Sequence, residues 1–393
     1  MAKYEYFEGE LTGREYKPGI TFSYKIAIPD EKQEEFALLV EHDGLNNANV
    51  NAMLQLANEG KAPFTVCLGI YPGYIRFSDG SKRDMRMNCY DLFDREYGDF
   101  IVNECIPYIV NKYGIKLSDS PDMHMVSGGS SGGISSFVIA WYHSDYFHRV
   151  YMSSPSFLAM GRGNEIPYLI RKCETKPLRI YEEYSEYEPD DYFGSSYPVA
   201  IETAKALAFA KYDFKCKYFP GEGHCSRCTD EKEAYERNEW LWANWKTEKI
   251  KANSNSDRVN KVVPIGSKWE ECDVFPRKET VTKPVLPEKY DIILKSVDEK
   301  MWYVANRGDD FVYAFLAEKD HLPKKALLHA MLHTAPREAS GLIDMDIDQC
   351  DRLYVLTRMG IQCVRSYGLI DAILDLPDET APLAIVITDA IYI

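Results

Sequence analysis

Short apolar runs alternate with longer segments of helical spacing through the first 245 residues. The runs that predict buried strands lie at 36–40, 64–68, 123–126, 178–181 and 214–219. The segments that predict helices lie at 88–113, 133–143, 200–211 and 231–245. Strands separated by helices pair in parallel through right-handed crossovers. This part of the chain is therefore predicted to be an α/β domain with a mostly parallel central sheet.

The pattern changes after residue 250. Residues 251–285 are polar, low in complexity and interrupted by prolines, which predicts a linker between domains at 1–250 and 286–393. The apolar runs beyond it are short and separated by turn residues, at 301–304, 311–315, 353–356 and 383–387. We expect a smaller, mostly β C-terminal domain.

Composition and charge narrow the classes of partner. A formal net charge of −15 argues against nucleic-acid binding and against anionic membrane surfaces. No apolar run approaches the length of a membrane-spanning helix, and the polar N-terminus has no secretory signal. The ten cysteines are scattered, so we expect a cytoplasmic protein with free thiols, no metal and no cofactor.

One motif predicts a nucleophile. Gly128-Gly129-Ser130-Ser131-Gly132 matches G-x-S-x-G between a predicted strand and a predicted helix, which is the context of a nucleophile elbow. Ser130 is then the nucleophile, and the backbone N–H of Ser131 points toward a developing oxyanion. A glycine- and serine-rich loop or a phosphate-binding turn is the alternative. The strand-before, helix-after context favours the elbow, and the glycine spacing of a P-loop or GxGxxG motif is absent.

A serine nucleophile needs a base, and in this fold the chain order is serine, acid, histidine. His224 follows the predicted strand that ends at Phe219 and fits this order. The other histidines precede or crowd the elbow or lie beyond the linker: His42, His124, His143, His148, His321, His329 and His333. The alternative interpretation is that His224 is a solvent-facing loop histidine without a catalytic role.

The acid belongs on the loop after the strand at 178–181. Six carboxylates compete there: Glu182, Glu183, Glu186, Glu188, Asp190 and Asp191. The pattern alone does not choose among them. Aromatic residues crowd the same stretch, which is compatible with a platform for a sugar or phenolic ester and equally with local packing.

Cys225 and Cys228 form a CxxC motif directly after His224. A metal or redox site would need a second pair at ligand spacing, and Cys216 is the only nearby third thiol. We expect both cysteines to be structural and unligated.

Taken together, these motifs resemble the esterase family that includes esterase D, enterochelin esterase and feruloyl or acetyl-xylan esterase domains. The likeness covers about residues 15–245. The segments that carry it are Ala37–Gly44, Ser127–Gly133, Phe137–Trp141, Phe147–Val150, Tyr212-Asp213 and Gly223-His224. The resemblance implies an α/β-hydrolase fold, Ser130 as nucleophile and His224 as general base. It also implies that the loop at Asp43-Gly44-Leu45 supplies the second oxyanion donor, the Leu45 N–H.

The acid position departs from the family pattern. The family's aspartate falls on Glu188, and the glycine-containing turn before it is replaced by Tyr184-Ser185-Glu186-Tyr187. Glu188 is the acid that the resemblance implies, with Asp190 and Asp191 as alternatives. The departure predicts a degraded acid position.

The tail resembles the later blades of a gluconolactonase- or regucalcin-like propeller, through Ser296–Val304, Arg352–Val355 and Gly360–Val364. About 110 residues make too few blades to close a propeller. Asp291 and Ile343 stand where that family has metal-binding Asn and Asp, so we expect no second catalytic site. An open fragment leaves apolar surface and sheet edges uncovered, and self-association into a homo-oligomer is the resulting hypothesis.

The sequence thus favours a serine hydrolase that cleaves a small-molecule or carbohydrate-linked acyl or feruloyl ester through an acyl-enzyme. A catalytically weakened esterase fold that acts in binding or assembly is the rival. Thioester or peptide hydrolysis would use the same three residues, and the sequence does not separate it.

Overall fold

A computed structural model describes residues 1–252, 267–276, 278, 284, 289–317, 326–334, 340–377 and 381–393. The contacts divide the chain into two compact units. The first comprises Met1–Pro167 and Lys176–Asn253, and the second comprises Tyr168–Thr175 and Ser254–Ile393.

The first unit is built on one large sheet. Its strands and the small hairpin β10–β11 are β1 (Tyr4–Thr12), β2 (Thr21–Pro29), β3 (Ala37–His42), β4 (Thr65–Ile70), β5 (Tyr74–Arg76), β6 (Lys82–Asp84), β7 (His124–Gly129), β8 (Arg149–Ser153), β9 (Arg179–Tyr187), β10 (Asp190–Asp191), β11 (Gly194–Ser195) and β12 (Asp213–Gly223). The sheet order is β12-β9-β8-β7-β3-β4-β2-β5-β6, with β1 paired to β2. The pairs from β12 to β4 are parallel, and those of β1, β2, β5 and β6 are antiparallel. The predicted α/β fold with a mostly parallel sheet is confirmed.

Helices cover this sheet. They are α1 (Asn47–Asn58), α2 (Arg86–Tyr90), α3 (Glu96–Asp99), α4 (Ile106–Tyr113), α5 (Ser131–Tyr142), α7 (Ser196–Phe209) and α8 (Glu231–Leu241), with a π-helix at Phe100–Cys105. A further helix, α6 (Ile166–Lys172), lies mostly in the segment that belongs to the second unit. Every residue of β3 and β4 is buried, as expected for strands covered on both faces. One core contains Met53 of α1, Leu241 of α8, and Leu39 and Tyr151 of the sheet. The helix α5 packs on β7 and β8.

The connections after the parallel strands position the chemistry. Asp43-Gly44-Leu45 follows β3, Ser130 follows β7, Ser154 follows β8, Glu188 follows β9 and His224 follows β12. Because parallel strands bring their carboxyl ends to one edge of the sheet, these five loops meet there. The candidate nucleophile, base, first-choice acid and oxyanion loop therefore lie at one edge of the sheet.

The helix predicted over 88–113 is wrong as a continuous element. The chain breaks after Tyr90 and resumes at Glu96 as α3, the π-helix and α4. The break contains Asp91 and Asp94, and the Asp94 side chain accepts the Glu96 N–H at 2.9 Å, a local bond that competes with helix hydrogen bonding.

The second unit consists of small antiparallel sheets. Its strands are β13 (Ile292–Lys295), β14 (Met301–Ala305), β15 (Phe311–Leu316), β16 (Leu327–Met331), β17 (Asp344–Ile347), β18 (Leu353–Thr357), β19 (Gly360–Val364), β20 (Ile370–Leu374), β21 (Val386–Ile387) and β22 (Ile391–Tyr392). They form two four-stranded meanders, β13-β14-β15-β16 and β17-β18-β19-β20, and the pair β21-β22. The expected mostly β tail is confirmed, whereas its relation to a propeller stays a prediction.

Tyr168–Thr175 joins the second unit, although the domain boundaries predicted from sequence place it in the first. Cys173 forms a parallel bridge with Ile373, and Lys172 Nζ donates to His333 Nε2 at 2.6 Å. Most of the predicted linker at 251–285 lies outside the described residues, as does His321. In the described part of the chain, no helix has the length and apolar character needed to cross a membrane.

Candidate active site

Ser130 occupies a sharp turn between β7 and α5. Its backbone has φ 57° and ψ −124°, a region that residues with a side chain rarely adopt. The Ser130 N–H donates to the Ser153 carbonyl at 2.8 Å, and the Ser130 carbonyl accepts the Ile134 N–H at 3.1 Å, which begins α5. Hydrogen bonds on both sides therefore hold the strained turn in place.

Glycine is required on both sides of this turn. A Cβ on Gly128 would lie 2.5 Å from the Gly132 carbonyl, and a Cβ on Gly132 would lie 2.9 Å from His42 Cβ. The strand and the helix can approach this closely only because both positions lack a side chain.

Glu188 and His224 are paired. His224 Nδ1 lies 2.5 Å from Glu188 Oε2, and the Glu188 side chain is only 2% exposed. The other carboxylate oxygen accepts the Ser154 hydroxyl at 2.6 Å and the Ser185 N–H at 2.8 Å. The glutamate thus has three donors, one of them the imidazole.

The electrostatics of the pair follow from these contacts. Burial raises the pKa of Glu188, but the hydrogen bonds from His224, Ser154 and Ser185 outweigh it, and the pKa lies below its ordinary value. The pKa of His224 is raised to about 10, first by its contact with Cys225 and then by Glu188, with burial opposing both. His224 therefore holds a proton more strongly than an ordinary histidine does.

The loop that carries His224 lies against the elbow. The Cys225 thiol donates to the Ser153 carbonyl at 3.5 Å, the same carbonyl that accepts the Ser130 N–H. A Cβ on Gly129 would lie 3.1 Å from Cys225 Sγ. Within residues 1–252, however, the Ser130 hydroxyl has no hydrogen bond to His224, and its contact is Ser156 Oγ at 3.5 Å.

One candidate oxyanion donor belongs to the elbow itself and the other lies on the loop after β3. Ser131 is the first residue of α5, so its N–H has no acceptor within the helix. Leu45 follows β3 in the loop whose Asp43 Oδ2 would lie 3.2 Å from a Cβ on Gly132. Over residues 1–252 the Leu45 N–H donates no hydrogen bond, which leaves it available to a ligand.

Buried polar side chains fix this loop. Glu41 accepts the Asn46 N–H at 2.8 Å and the Asn49 side-chain amide at 2.7 Å. Burial raises the pKa of Glu41 to about 7, although these hydrogen bonds lower it. His42 Nε2 lies 3.2 Å from Ser135 Oγ of α5, and burial lowers the pKa of His42 to about 4, so it is neutral. Neither residue was singled out from sequence as a site residue.

A buried ion pair lies under the same edge. Arg237 of α8 donates to Glu183 at 2.9 Å and to Asn49 Oδ1 at 2.6 Å, and Tyr151 donates to Glu183 at 2.8 Å. Arg237 and Glu183 are 0% and 2% exposed. Glu183, one of the six competing acids, is therefore committed to Arg237 and Tyr151 and not to His224.

Sequence reasoning also did not identify Ser154, whose side chain hydrogen-bonds both the acid and the loop that carries His224. Its hydroxyl donates to Glu188 and accepts the Cys225 N–H at 3.0 Å, and its φ is 46°. The signal available in the sequence was the polar run Ser153-Ser154-Pro155-Ser156 after a buried strand. Polar residues at the carboxyl end of a parallel strand are a common sign of a site.

Asp190 and Asp191, the alternative acids, lie elsewhere. They form the exposed strand β10, paired with Ser195 and Gly194, and Asp191 accepts the Phe193 N–H at 2.9 Å. Neither contacts His224.

The aromatic stretch divides into two groups. Tyr181 is fully buried in the core, and Tyr184 and Tyr197 pack with Tyr218 at ring-centroid separations of 5.2 to 5.8 Å. Three further aromatic residues are exposed: Tyr187 (65%), Tyr192 (106%) and Phe193 (62%). Local packing accounts for the first group but not for the second.

Metal ligation finds no support in the described ranges, where no three side chains among His, Cys, Asp and Glu are grouped so as to hold an ion. No disulfide joins any of the ten cysteines, all of which lie among the described residues.

The fold is that of an α/β hydrolase, with a mostly parallel sheet and a strained serine turn after β7. The carboxylate–imidazole pair lies at the same edge of the sheet. The profile of the family described as "Putative esterase" matches residues 22–270. The chain belongs to this family, as its N-terminal motifs predict, and membership supports ester hydrolysis as the general activity.

The comparison with solved structures returns two esterases and a siderophore hydrolase among its matches. A ferulic acid esterase has 15% identity over 61% of this chain and 98% of that chain, with a TM-score of 0.45. The enterobactin esterase FES from Shigella flexneri has 16% identity over 61% and 59%, with a TM-score of 0.44. The siderophore hydrolase EstB from Aspergillus nidulans has 14% identity over 61% and 95%, with a TM-score of 0.44. Curated proteins give no match.

Proposed function

We propose that the protein is a serine carboxylic-ester hydrolase that works through an acyl-enzyme. Ser130 attacks the ester carbonyl, and His224 takes the hydroxyl proton and returns it to the leaving alcohol. Glu188 holds the imidazole in the tautomer that accepts at Nε2 and stabilises the imidazolium. The backbone N–H groups of Ser131 and Leu45 bind the oxyanion. Water then releases the acyl group by the same steps.

The observation that carries this proposal is the 2.5 Å contact between Glu188 and His224 beside the strained Ser130 turn. A loop histidine without a role has no need of a buried carboxylate partner that is itself held by two further donors. Such a pair at the elbow is what acyl transfer requires of its base.

The substrate we propose is a small-molecule or carbohydrate-linked ester with an aromatic acyl group, of which a feruloyl ester is the test case. Its support is the exposed group Tyr187, Tyr192 and Phe193, which begins one residue before Glu188. Exposed aromatic rings beside a site offer stacking surface to sugars and phenols.

One observation is also expected of the rival, a non-catalytic role in binding or assembly. The Ser130 hydroxyl contacts Ser156 and not His224. Catalytic hydrogen bonds often become short only when substrate binds, so this contact is compatible with both functions. The two functions differ in turnover.

Hydrolysis of p-nitrophenyl acetate by wild type, Ser130→Ala and Ser81→Ala tests the proposal. Ser81 is an exposed serine in the β5–β6 connection and serves as the matched control. We expect turnover by wild type and Ser81→Ala and a loss of at least about a thousandfold in Ser130→Ala. Equal rates in all three proteins, or no rate in any, would favour the binding role.

A further inference from the structure

The CxxC turn after His224 brings two thiols together at the candidate active site. The Cys228 N–H donates to the Cys225 carbonyl at 3.3 Å, which closes a four-residue turn. Turns of this kind bring their first and last Cα atoms within about 7 Å, the range that a disulfide spans. Both cysteines are partly accessible.

The first of these cysteines contacts the residues that hold the candidate catalytic groups. Cys225 Sγ contacts the Ser153 carbonyl, its N–H is held by Ser154, and its φ of 54° is a left-handed value that is unusual for cysteine. Any covalent change at this sulfur therefore acts on the Ser130 turn, on the Glu188 support and on His224.

The second thiol has the character of an attacking group. The pKa of Cys228 is lowered to about 7, first by a hydrogen bond from Cys225 and also by the charge of Arg237, although burial raises it. Arg237 Nη2 lies 3.5 Å from the Cys228 carbonyl. The pKa of the Cys225 thiol is raised, so the first deprotonation belongs to Cys228. A thiol whose pKa lies near the ambient pH is the most effective attacker of a disulfide.

We infer that Cys225 and Cys228 are a thiol–disulfide exchange site for low-molecular-weight disulfides of the glutathione type, and that its oxidation alters catalysis at the adjacent Ser130–His224 site. The exchange site is argued from the two cysteines and does not depend on the proposed function. The effect of oxidation on the candidate active site rests on the proposed function.

The exchange balances in two steps. The Cys228 thiolate attacks one sulfur of the external disulfide, which breaks the S–S bond, forms a mixed disulfide and releases one thiolate that takes a proton from water. Cys225 then loses its proton to solvent and attacks Cys228 Sγ, which forms the intramolecular S–S bond, breaks the mixed disulfide and expels the second thiolate, which takes a proton from water. The protein dithiol is oxidised by two electrons, and the external disulfide is reduced to two thiols.

Oxidation alters the surroundings of His224. A disulfide sulfur carries neither a proton nor a negative charge, so the Cys225 contact that raises the pKa of the imidazole is lost. Glu188 remains as the partner. The oxidised protein is therefore expected to have a neutral His224 at lower pH than the reduced protein.

The experiment treats the full-length protein with glutathione disulfide at pH 7.5, alkylates the free thiols and maps them by peptide mass spectrometry. The same samples give the pH profile of kcat/KM for p-nitrophenyl acetate. Cys228→Ser removes the attacker, and Cys350→Ser removes an exposed cysteine of the second unit as the matched control.

We expect an intramolecular Cys225–Cys228 disulfide in wild type and Cys350→Ser and none in Cys228→Ser. The acidic limb of the profile should move to lower pH only where the disulfide forms. Glutathione found only on Cys272 or Cys350, or no oxidation, would overturn the exchange site. A disulfide that leaves the profile unmoved would overturn the coupling. The mapping needs no turnover, so an inactive protein would contradict the proposed function without touching the exchange site.

Discussion

Glu188 is a glutamate in an altered turn, at the position where the family resemblance places an aspartate. In the structure its longer side chain reaches His224 and is held by the Ser154 hydroxyl and the Ser185 N–H. The substitution therefore leaves the imidazole with a buried partner, and the expected weakening of the acid becomes a question for kinetics.

The raised pKa of His224 predicts an alkaline pH profile. A general base must be neutral, so activity falls as the pH drops through the histidine pKa. Because that pKa lies above 6.5 and near 10, kcat/KM should still be rising at neutral pH. Rates of p-nitrophenyl acetate hydrolysis from pH 6 to 10, corrected for the spontaneous reaction, measure the limb. A plateau that begins below pH 6.5 would contradict the assignment.

Glu188→Gln keeps the size of the side chain and removes its charge. The imidazole loses an attractive partner, so we expect its pKa to fall and the acidic limb to move to lower pH. The maximal kcat should fall by about a hundredfold or more, since an amide also permits the wrong tautomer. Asp190→Asn is the matched control, because Asp190 is exposed and does not contact His224. Equal losses in the two variants would refute the choice of Glu188.

Ser154→Ala tests a positioning role. Removal of the hydroxyl takes one donor from Glu188 and the acceptor from the Cys225 N–H, so kcat should fall by about tenfold with little change in KM. The acidic limb of the pH profile should also shift, because the Glu188 carboxylate loses the hydrogen bond from Ser154. Unchanged melting temperature alongside the loss separates positioning from unfolding. A change in stability alone, with kcat and the limb as in wild type, would remove Ser154 from the site.

Ser130 and His224 could be proposed from the sequence because a motif and a chain order point to them. Ser154, Glu41 and Arg237 could not, since their roles depend on which loops meet at the sheet edge. The six carboxylates that follow the strand predicted at 178–181 cannot be distinguished from the sequence pattern alone. Only the register of β9 decides that Glu183 faces Arg237 while Glu188, beyond the strand, reaches His224.

At the scale of elements, the β10–β11 hairpin places exposed aromatic rings near the candidate site. It presents Tyr192 and Phe193 at its turn, and a Cβ on Gly194 would lie 3.3 Å from Leu158, three residues beyond Pro155. The hairpin therefore lies beside the loop that carries Ser156, the neighbour of the Ser130 hydroxyl.

Tyr192→Ala should weaken the use of aromatic esters selectively. Loss of one stacking ring predicts a fall of roughly three- to tenfold in kcat/KM for methyl ferulate. The rate with p-nitrophenyl acetate, whose acyl group is small, should change less. Phe77→Ala, which removes an exposed ring from the β5–β6 hairpin, is the control. Parallel changes on both substrates would count against an aromatic acyl subsite.

The parallel strands other than β8 were accessible to sequence reasoning, because short continuous apolar runs bounded by turn residues are typical of strands covered on both faces. The buried strand β8 was not predicted. The N-terminal strands were not recognised, since β1 is mostly exposed and alternates weakly. The region 88–113 was predicted as one helix because its apolar spacing continues across the break at Asp91–Arg95. Hydropathy does not record such a local competition for backbone bonds.

At the scale of the whole molecule, the second unit leaves apolar side chains uncovered. Leu327, Leu328 and Met331 of β16 are about 60% exposed, and within the described residues β16 pairs only with β15. Exposed apolar edge strands tend to pair with another chain. The self-association predicted from the sequence therefore has a candidate surface.

Light scattering coupled to size-exclusion chromatography measures the molar mass in solution and so tests this prediction. Wild type should elute as an oligomer at micromolar concentration, and Leu328→Lys should shift it toward the monomer because a charge on an edge strand opposes pairing. Leu369→Lys introduces the same charge at a similarly exposed position outside β16 and should leave the oligomer intact. A wild-type monomer would end the hypothesis.

The central claim is that Ser130 is a nucleophile activated by His224 and Glu188. Its most direct test is to label the protein with a fluorophosphonate and locate the adduct by tandem mass spectrometry. The account predicts one adduct, on Ser130, with labelling that slows sharply in His224→Ala and Glu188→Gln and stays at the wild-type rate in Asp190→Asn. An unlabelled Ser130, or labelling that is indifferent to His224, would contradict it.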